Sequence, residues 1–94
     1  MRIRKKVVEL EAVLIDYRPN EGHCIVTKEP QPKWFRDAID KGVIYFDLDG
    51  DLAIKTDTGI HTAKTGDYIL QGTQGEIYPV KADVFPEIYD IIDE

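Results

Sequence analysis

Between residues 42 and 75 the chain is broken every few positions by turn chemistry, and that spacing limits what it can become. Gly42, Asp49-Gly50-Asp51, Thr58-Gly59, Lys64-Thr65-Gly66-Asp67 and the stretch from Gly72 to Gly75 leave only short runs between them. A helix without tertiary help needs on the order of a dozen residues, so these runs read as strands. Val43-Ile44-Tyr45-Phe46-Asp47-Leu48 and Leu52-Ala53-Ile54-Lys55-Thr56 flank an Asp-Gly pair, the strongest short-range signal for a hairpin. Ile60-His61-Thr62-Ala63, Tyr68-Ile69-Leu70-Gln71 and Glu76-Ile77-Tyr78 follow as further short strands.

The flanking segments supply the remaining elements. Val8, Leu10, Ala12 and Leu14 alternate with Val7, Glu9, Glu11 and Val13, the period-two pattern of a strand with one face on a core. Asp16 to Pro19 and Asn20-Glu21-Gly22 are turn-forming, and His23-Cys24-Ile25-Val26-Thr27 reads as a short strand. Pro32 suits the first turn of a helix over about 32–41, where its missing N–H costs nothing. On that helix Trp34 with Ala38, and Phe35 with Ile39, are i,i+4 pairs on a shared apolar face, Asp37 pairs with Lys41, and Gly42 is placed to cap the end. Asp83 is placed to cap a C-terminal helical segment over about 83–92, with Pro86 tolerated in its first turn and Phe85, Ile88, Tyr89 and Ile92 as its stripe. The fold class expected is α+β: one domain over 1–94, a meandering antiparallel sheet or partial barrel, one inserted helix and a C-terminal helical segment.

Composition narrows the function classes. At 94 residues and 43% hydrophobic, the chain is long enough for a core and too apolar to be disordered. Eighteen acidic against twelve basic residues give a net charge of −6, which argues against nonspecific binding to nucleic acid. Charge is also unevenly placed: Arg2, Arg4, Lys5 and Lys6 lie at one end, Asp83, Glu87, Asp90, Asp93 and Glu94 at the other, so the two ends attract each other or are separately solvated. The single cysteine, Cys24, precludes an internal disulfide and fits a reducing compartment. The basic start leads into strand-like alternation instead of an apolar leader, and no apolar run approaches membrane-spanning length, so a cytoplasmic protein with no membrane partner is expected.

Several constellations invite a chemical reading. Asp47, Asp49 and Asp51 match the opening positions of a calcium loop, but Leu52 stands where glycine is needed and Thr58 where the closing glutamate belongs. A solvated hairpin turn explains them better. His23, Cys24 and His61 are too few ligands at the wrong spacing for structural zinc, and Cys24 has no activating motif beside it. No metal, cofactor or catalytic group is expected. The glycines of 66–75 can present backbone N–H groups to an anion, but the segment lacks the Lys-Ser/Thr ending of a phosphate loop. If a nucleotide is bound, Lys64, Gly66, Tyr68, Tyr78 and Lys81 are the candidate ligand-binding set, with Lys55 and Trp34 as further contributors: ammonium groups for phosphate, rings for base stacking. The rival reading has the tyrosines half in the core with hydroxyls at the surface.

Thr65 to Phe85 contains Gly66-Asp67-Tyr68-Ile69-Leu70, Gly72, Gly75-Glu76-Ile77-Tyr78-Pro79-Val80-Lys81-Ala82-Asp83-Val84-Phe85. This resembles the C-terminal signature of a family of small phage- and prophage-encoded proteins, which runs Gly-Asp-Tyr/Trp-Ile-Ile, Gly, then Gly-Glu-Phe/Ile-Tyr-Pro-Cys-Lys-Pro-Asp-Ile-Phe. The opening Arg4-Lys5-Lys6-Val7-Val8-Glu9-Leu10-Glu11-Ala12 is similar to that family's start as well. Val80 stands in place of the family's cysteine and Ala82 in place of its proline, so a thiol role is not general to the fold. The resemblance implies a phage or prophage origin, hence an infected or lysogenic bacterial cell, and brings no activity with it.

Three readings follow. The preferred one is a phage-encoded, non-catalytic binding protein that counteracts a host function or defence by binding a host protein or a nucleotide signal. A nucleotide would require basic and aromatic residues converging on one concave surface; a protein partner would require an exposed apolar or acidic patch. The second is a homo-oligomeric accessory protein of phage replication, packaging or assembly, using open sheet edges. The third is a small nucleotide-processing enzyme, which would require a perturbed carboxylate or histidine in a pocket.

Overall fold

Hairpin chemistry organises the observed architecture. The computed structural model describes residues 1–4, 7–16 and 30–92. Six strands and two helices follow in the order β1 (Glu11–Leu14), α1 (Lys33–Asp40), β2 (Ile44–Phe46), β3 (Leu52–Thr56), β4 (Gly59–Ala63), β5 (Tyr68–Gln71), β6 (Ile77–Val80) and α2 (Phe85–Ile88). The fold is α+β, and every strand pair is antiparallel. Among the described residues the strands are divided between two three-stranded sheets, β1-β5-β6 and β2-β3-β4, with no closed barrel. β6 also lies against β3 and β4, which joins the sheets.

The β2–β3 turn forms as its Asp-Gly pair dictates. Gly50 donates to the Asp47 carbonyl at 3.1 Å and holds φ at 82°, a left-handed value that favours glycine. Asp47 Oδ1 accepts from the N–H groups of Asp49 and Asp51, both at 2.9 Å. That carboxylate is therefore committed to holding its own turn. Among the described residues, no cluster of metal-ligating side chains occurs.

Helix α1 ends as its glycine requires. Gly42 donates to Ile39 O at 3.1 Å and Val43 to Ala38 O at 2.9 Å, the paired bonds of a Schellman motif, with Gly42 at φ 76°. Its apolar face buries Phe35 and Ala38 and packs Trp34 and Ile39 against the core. The expected Asp37–Lys41 pair is replaced by Lys33–Asp37 at 3.0 Å, because Lys41 is already the C-cap residue and Lys33 lies one turn back on the same face.

One core serves both sheets and α1. Val13, Ile15, Ile44, Leu52, Ile54, Ala63 and Ile69 meet Phe35 and Ala38 there, and Ile77 packs against them. In β1 the face turned inward is the one carrying Val13 and Ile15. The alternation at Val8, Leu10, Ala12 and Leu14 suggested the other face: Val8 and Ala12 are exposed, Leu10 and Leu14 only half-buried. Glu11 shares the inward face, and its carboxylate accepts a hydrogen bond from Trp34 Nε1, which ties β1 to α1.

The C-terminal segment departs from expectation. The helix is one turn, Phe85–Ile88, and Tyr89 is already extended at φ −122° and ψ 146°. Ile88 and Ile92 stay exposed instead of forming a buried stripe. The Tyr89 ring packs 5.2 Å from Phe85, and its hydroxyl is hydrogen-bonded with Tyr78, contacts that hold it to the sheet without another helical turn. The expected strand His23–Thr27 lies outside the described residues. No helix among the described residues is long and apolar enough to cross a membrane.

Candidate functional site

Three of the five candidate residues, Lys64, Gly66 and Lys81, meet at the turn of Asp67, a carboxylate outside that set. Asp67 is buried, at 7% exposure. Its Oδ2 accepts from the Lys64 N–H at 2.9 Å and its Oδ1 from the Ala82 N–H at 3.0 Å. Lys81 Nζ lies 3.8 Å from the same carboxylate. Gly66 makes the preceding bend at φ 95°, and its N–H bonds Ile15 O at 2.8 Å. Lys64 thus contributes its backbone to this node while its side chain is exposed, and Lys81 contributes its charge.

Tyr68 begins an aromatic row. Its ring stacks on Phe85 with centroids 3.7 Å apart and planes at 12°, and Phe85 continues to Tyr89. Tyr68, Leu70, Tyr78 and Val80 share one face of the β1-β5-β6 sheet by register, and Leu70 on that face is 1% exposed. That sheet is therefore covered on both sides, by the core on one and by the C-terminal aromatics on the other. Much of the signature is spent on this packing. Trp34 stands apart from it, on α1 beside Glu11.

Tyr78 connects this row with a groove. Its phenol is pushed up to about 12, first by burial, then by the Tyr89 hydrogen bond and the neighbouring Tyr89 and Glu76 charges. The groove has a volume of about 540 Å3 and lies between the β3–β4 hairpin and β6. Lys55, Thr58, His61, Tyr78 and Pro79 line it, with the backbone of Gly75 and the carboxylates Asp57 and Glu76.

Local structure sets each wall. The β3–β4 turn is two residues long, since Thr56 pairs with Gly59, and Thr56 Oγ1 locks it by donating to Gly59 O at 2.9 Å. Thr58 Oγ1 and His61 Nε2 are hydrogen-bonded at 2.8 Å, which fixes the imidazole at the mouth. Lys55 lies with its ammonium 5.5 Å from the Tyr45 ring centroid. On the opposite wall the Glu76 carboxylate folds back over Gly72 and accepts the Gln74 N–H at 3.0 Å, so its charge is tied into its own turn.

Tyr78 belongs to the candidate set that the sequence offers, and Lys55 stands beside it there. His61 reads from the sequence only as an isolated ligand, and Thr58 only as a turn residue. The signal that finds them is the two-residue turn at Asp57-Thr58, which brings positions 55 and 61 to one end of a hairpin. What assembles is a concave surface lined by Lys55, Thr58, His61 and Tyr78 together with the carboxylates Asp57 and Glu76. Comparison with protein-family models, with curated proteins and with solved structures finds no match to this chain.

Proposed function

We propose that this is a phage-encoded, non-catalytic binding protein that takes up an anionic, ring-bearing small molecule of the nucleotide class in the groove between the β3–β4 hairpin and β6. One observation carries the reading: Lys55, His61 and Tyr78 line the same concavity of about 540 Å3, within the size range of small-ligand sites. In this reading Lys55 and His61 meet the phosphate, Thr58 holds the imidazole in place, and the Tyr78 ring lies against the base. The resemblance of Gly66 to Phe85 to a phage signature supports a role inside a bacterial host, where sequestering a nucleotide signal counteracts a host defence.

This assignment moves the ligand contacts from Lys64 and Lys81 to Lys55 and His61. Lys81 has Asp67 for a partner, and Lys64 serves the Asp67 node. Native mass spectrometry against a mixture of cyclic and linear nucleotides, followed by titration calorimetry on any nucleotide retained, tests it. Lys55→Glu and Tyr78→Ala should each weaken binding by roughly tenfold or more, since each removes a principal contact. Lys64→Glu should leave affinity unchanged. Retained affinity in both groove variants sinks the proposal.

A further inference from the structure

Two exposed segments of opposite charge remain outside the groove. In the N-terminal arm, Arg2 and Arg4 alternate with Ile3, which is 89% exposed, and Val7 further on is 99% exposed. In the C-terminal segment, Glu87 and Asp90 alternate with Ile88, Ile91 and Ile92, exposed at 60%, 66% and 70%. Large apolar side chains left in water in this number mark a contact surface. Beside them lies a cleft of about 310 Å3 floored by Tyr68, Phe85 and Tyr89 and rimmed by Asp90 and Ile91. It is apolar inside and acidic at the edge, which suits an aliphatic side chain flanked by cations.

Strand register decides which copy supplies that side chain. Glu11 pairs with Gln71, whereas Leu14 pairs with Tyr68, the residue on which Phe85 stacks. The arm therefore leaves the sheet at the end of β1 remote from the C-terminal segment. Within one chain, β1 thus begins at the end of the sheet opposite the acidic patch. A second copy removes the mismatch, because among the described residues β1 is an edge strand of its sheet. Ile15 donates to Asp67 O on the β5 side, so by alternation Ala12 and Leu14 turn their backbone groups to the open edge. Antiparallel pairing of two such edges about a two-fold axis sends each arm past the other copy's Leu14, toward its Tyr68 and Phe85.

We infer that the chain forms a two-fold dimer by β1–β1 pairing and reciprocal exchange of N-terminal arms, with Ile3, Arg2 and Arg4 of each copy docking on Ile91, Glu87 and Asp90 of the other. The contact is isologous, so both copies satisfy the same complementary charges and close the assembly at two. Pairing the edges also removes a site for open-ended strand addition. The inference does not depend on what occupies the groove.

Sedimentation velocity of the full chain tests it, with Arg2→Glu/Arg4→Glu as one variant and Glu87→Lys/Asp90→Lys as the other. Neither variant touches the core, so both should fold. The native chain should sediment as a dimer that weakens with salt, and each variant should dissociate roughly tenfold or more readily through like-charge repulsion. An equimolar mixture of the two should restore a dimer, since each arm then meets an opposite charge on the other chain. Hydrogen exchange at the Ala12 and Leu14 amides should slow in the dimer. A native monomer at high micromolar concentration overturns the inference, whether or not it binds nucleotide. So does a dimer indifferent to both variants, which would place the interface elsewhere.

Discussion

The Asp67 carboxylate accepts the Ala82 N–H at 3.0 Å, a bond between residues fifteen positions apart that ties the turn before β5 to the turn after β6. With Oδ2 on the Lys64 N–H, one buried side chain fixes both ends of the β5–β6 hairpin.

Removing that carboxylate should cost more than an ordinary surface change. Asp67→Ala leaves two backbone donors without their acceptor and is expected to lower stability by about 2–4 kcal/mol. Asp67→Asn keeps one acceptor and turns an amide donor toward the other N–H, so it should recover only part of the loss. Urea denaturation should show the midpoint falling with little change in slope. A shift under about 0.5 kcal/mol for Asp67→Ala would show that water serves these amides equally well.

Gly72 and Glu76 should behave as one unit. A Cβ on Gly72 would fall 1.7 Å from Glu76 Oε1, which is the flexible end of a side chain and can move. Gly72→Ala should therefore cost about 1 kcal/mol by expelling the carboxylate from the Gln74 N–H. In a Glu76→Ala background the same change should cost almost nothing. A double-mutant cycle checks this, and additivity would locate the strain in the backbone instead.

Tyr78 gives the fold an alkaline limit. Its folded pKa, about 12, lies above the ordinary value of 10.0, so the neutral phenol is the form the fold favours. The stabilisation is fully present below about pH 10 and is lost as pH rises from about 10 toward 12. Ultraviolet titration should show the Tyr78 phenol ionising only toward pH 12. Tyr78→Phe should abolish that late step and flatten the fall in stability over the same interval. Phe85→Ala should bring the step earlier, because Tyr89, which Phe85 holds by stacking, then no longer meets the Tyr78 hydroxyl.

The elements legible in the sequence are those whose causes are local. Asp49-Gly50 carries its own turn, and Gly42 its own helix end, whatever surrounds them. The inward face of β1 was not legible, because Val7 to Leu14 places aliphatic residues at both parities and only the docking of Val13 and Ile15 on Ile69 chooses between them. The stripe Phe85, Ile88, Tyr89 and Ile92 fits a helix, yet the ring of Tyr89 finds Phe85 and Tyr78 without one. The candidate site divided in the same way. Tyr78 was legible from ring chemistry, whereas the fate of Lys81 depends on Asp67, fourteen positions upstream, and on a turn that delivers Ala82 beside it.

The β1–β5 ladder has a kinetic consequence. Each of the β2–β3, β3–β4 and β5–β6 pairs closes through a turn of a few residues, whereas Glu11 must find Gln71 across α1 and three strands. Loop-closure entropy makes that pairing the last to become favourable, so the barrier is set among the hairpins and native contacts of β1 form after it has been crossed. Val13→Ala should consequently accelerate unfolding and leave the refolding rate nearly unchanged, while Ile54→Ala should slow refolding. Stopped-flow chevrons resolve the two arms, and a refolding arm that moves with Val13 would mean that the first strand nucleates the fold. With β1 docking last, the chain's lifetime against unfolding is set at its N-terminal strand, while the speed of its formation is set among the hairpins.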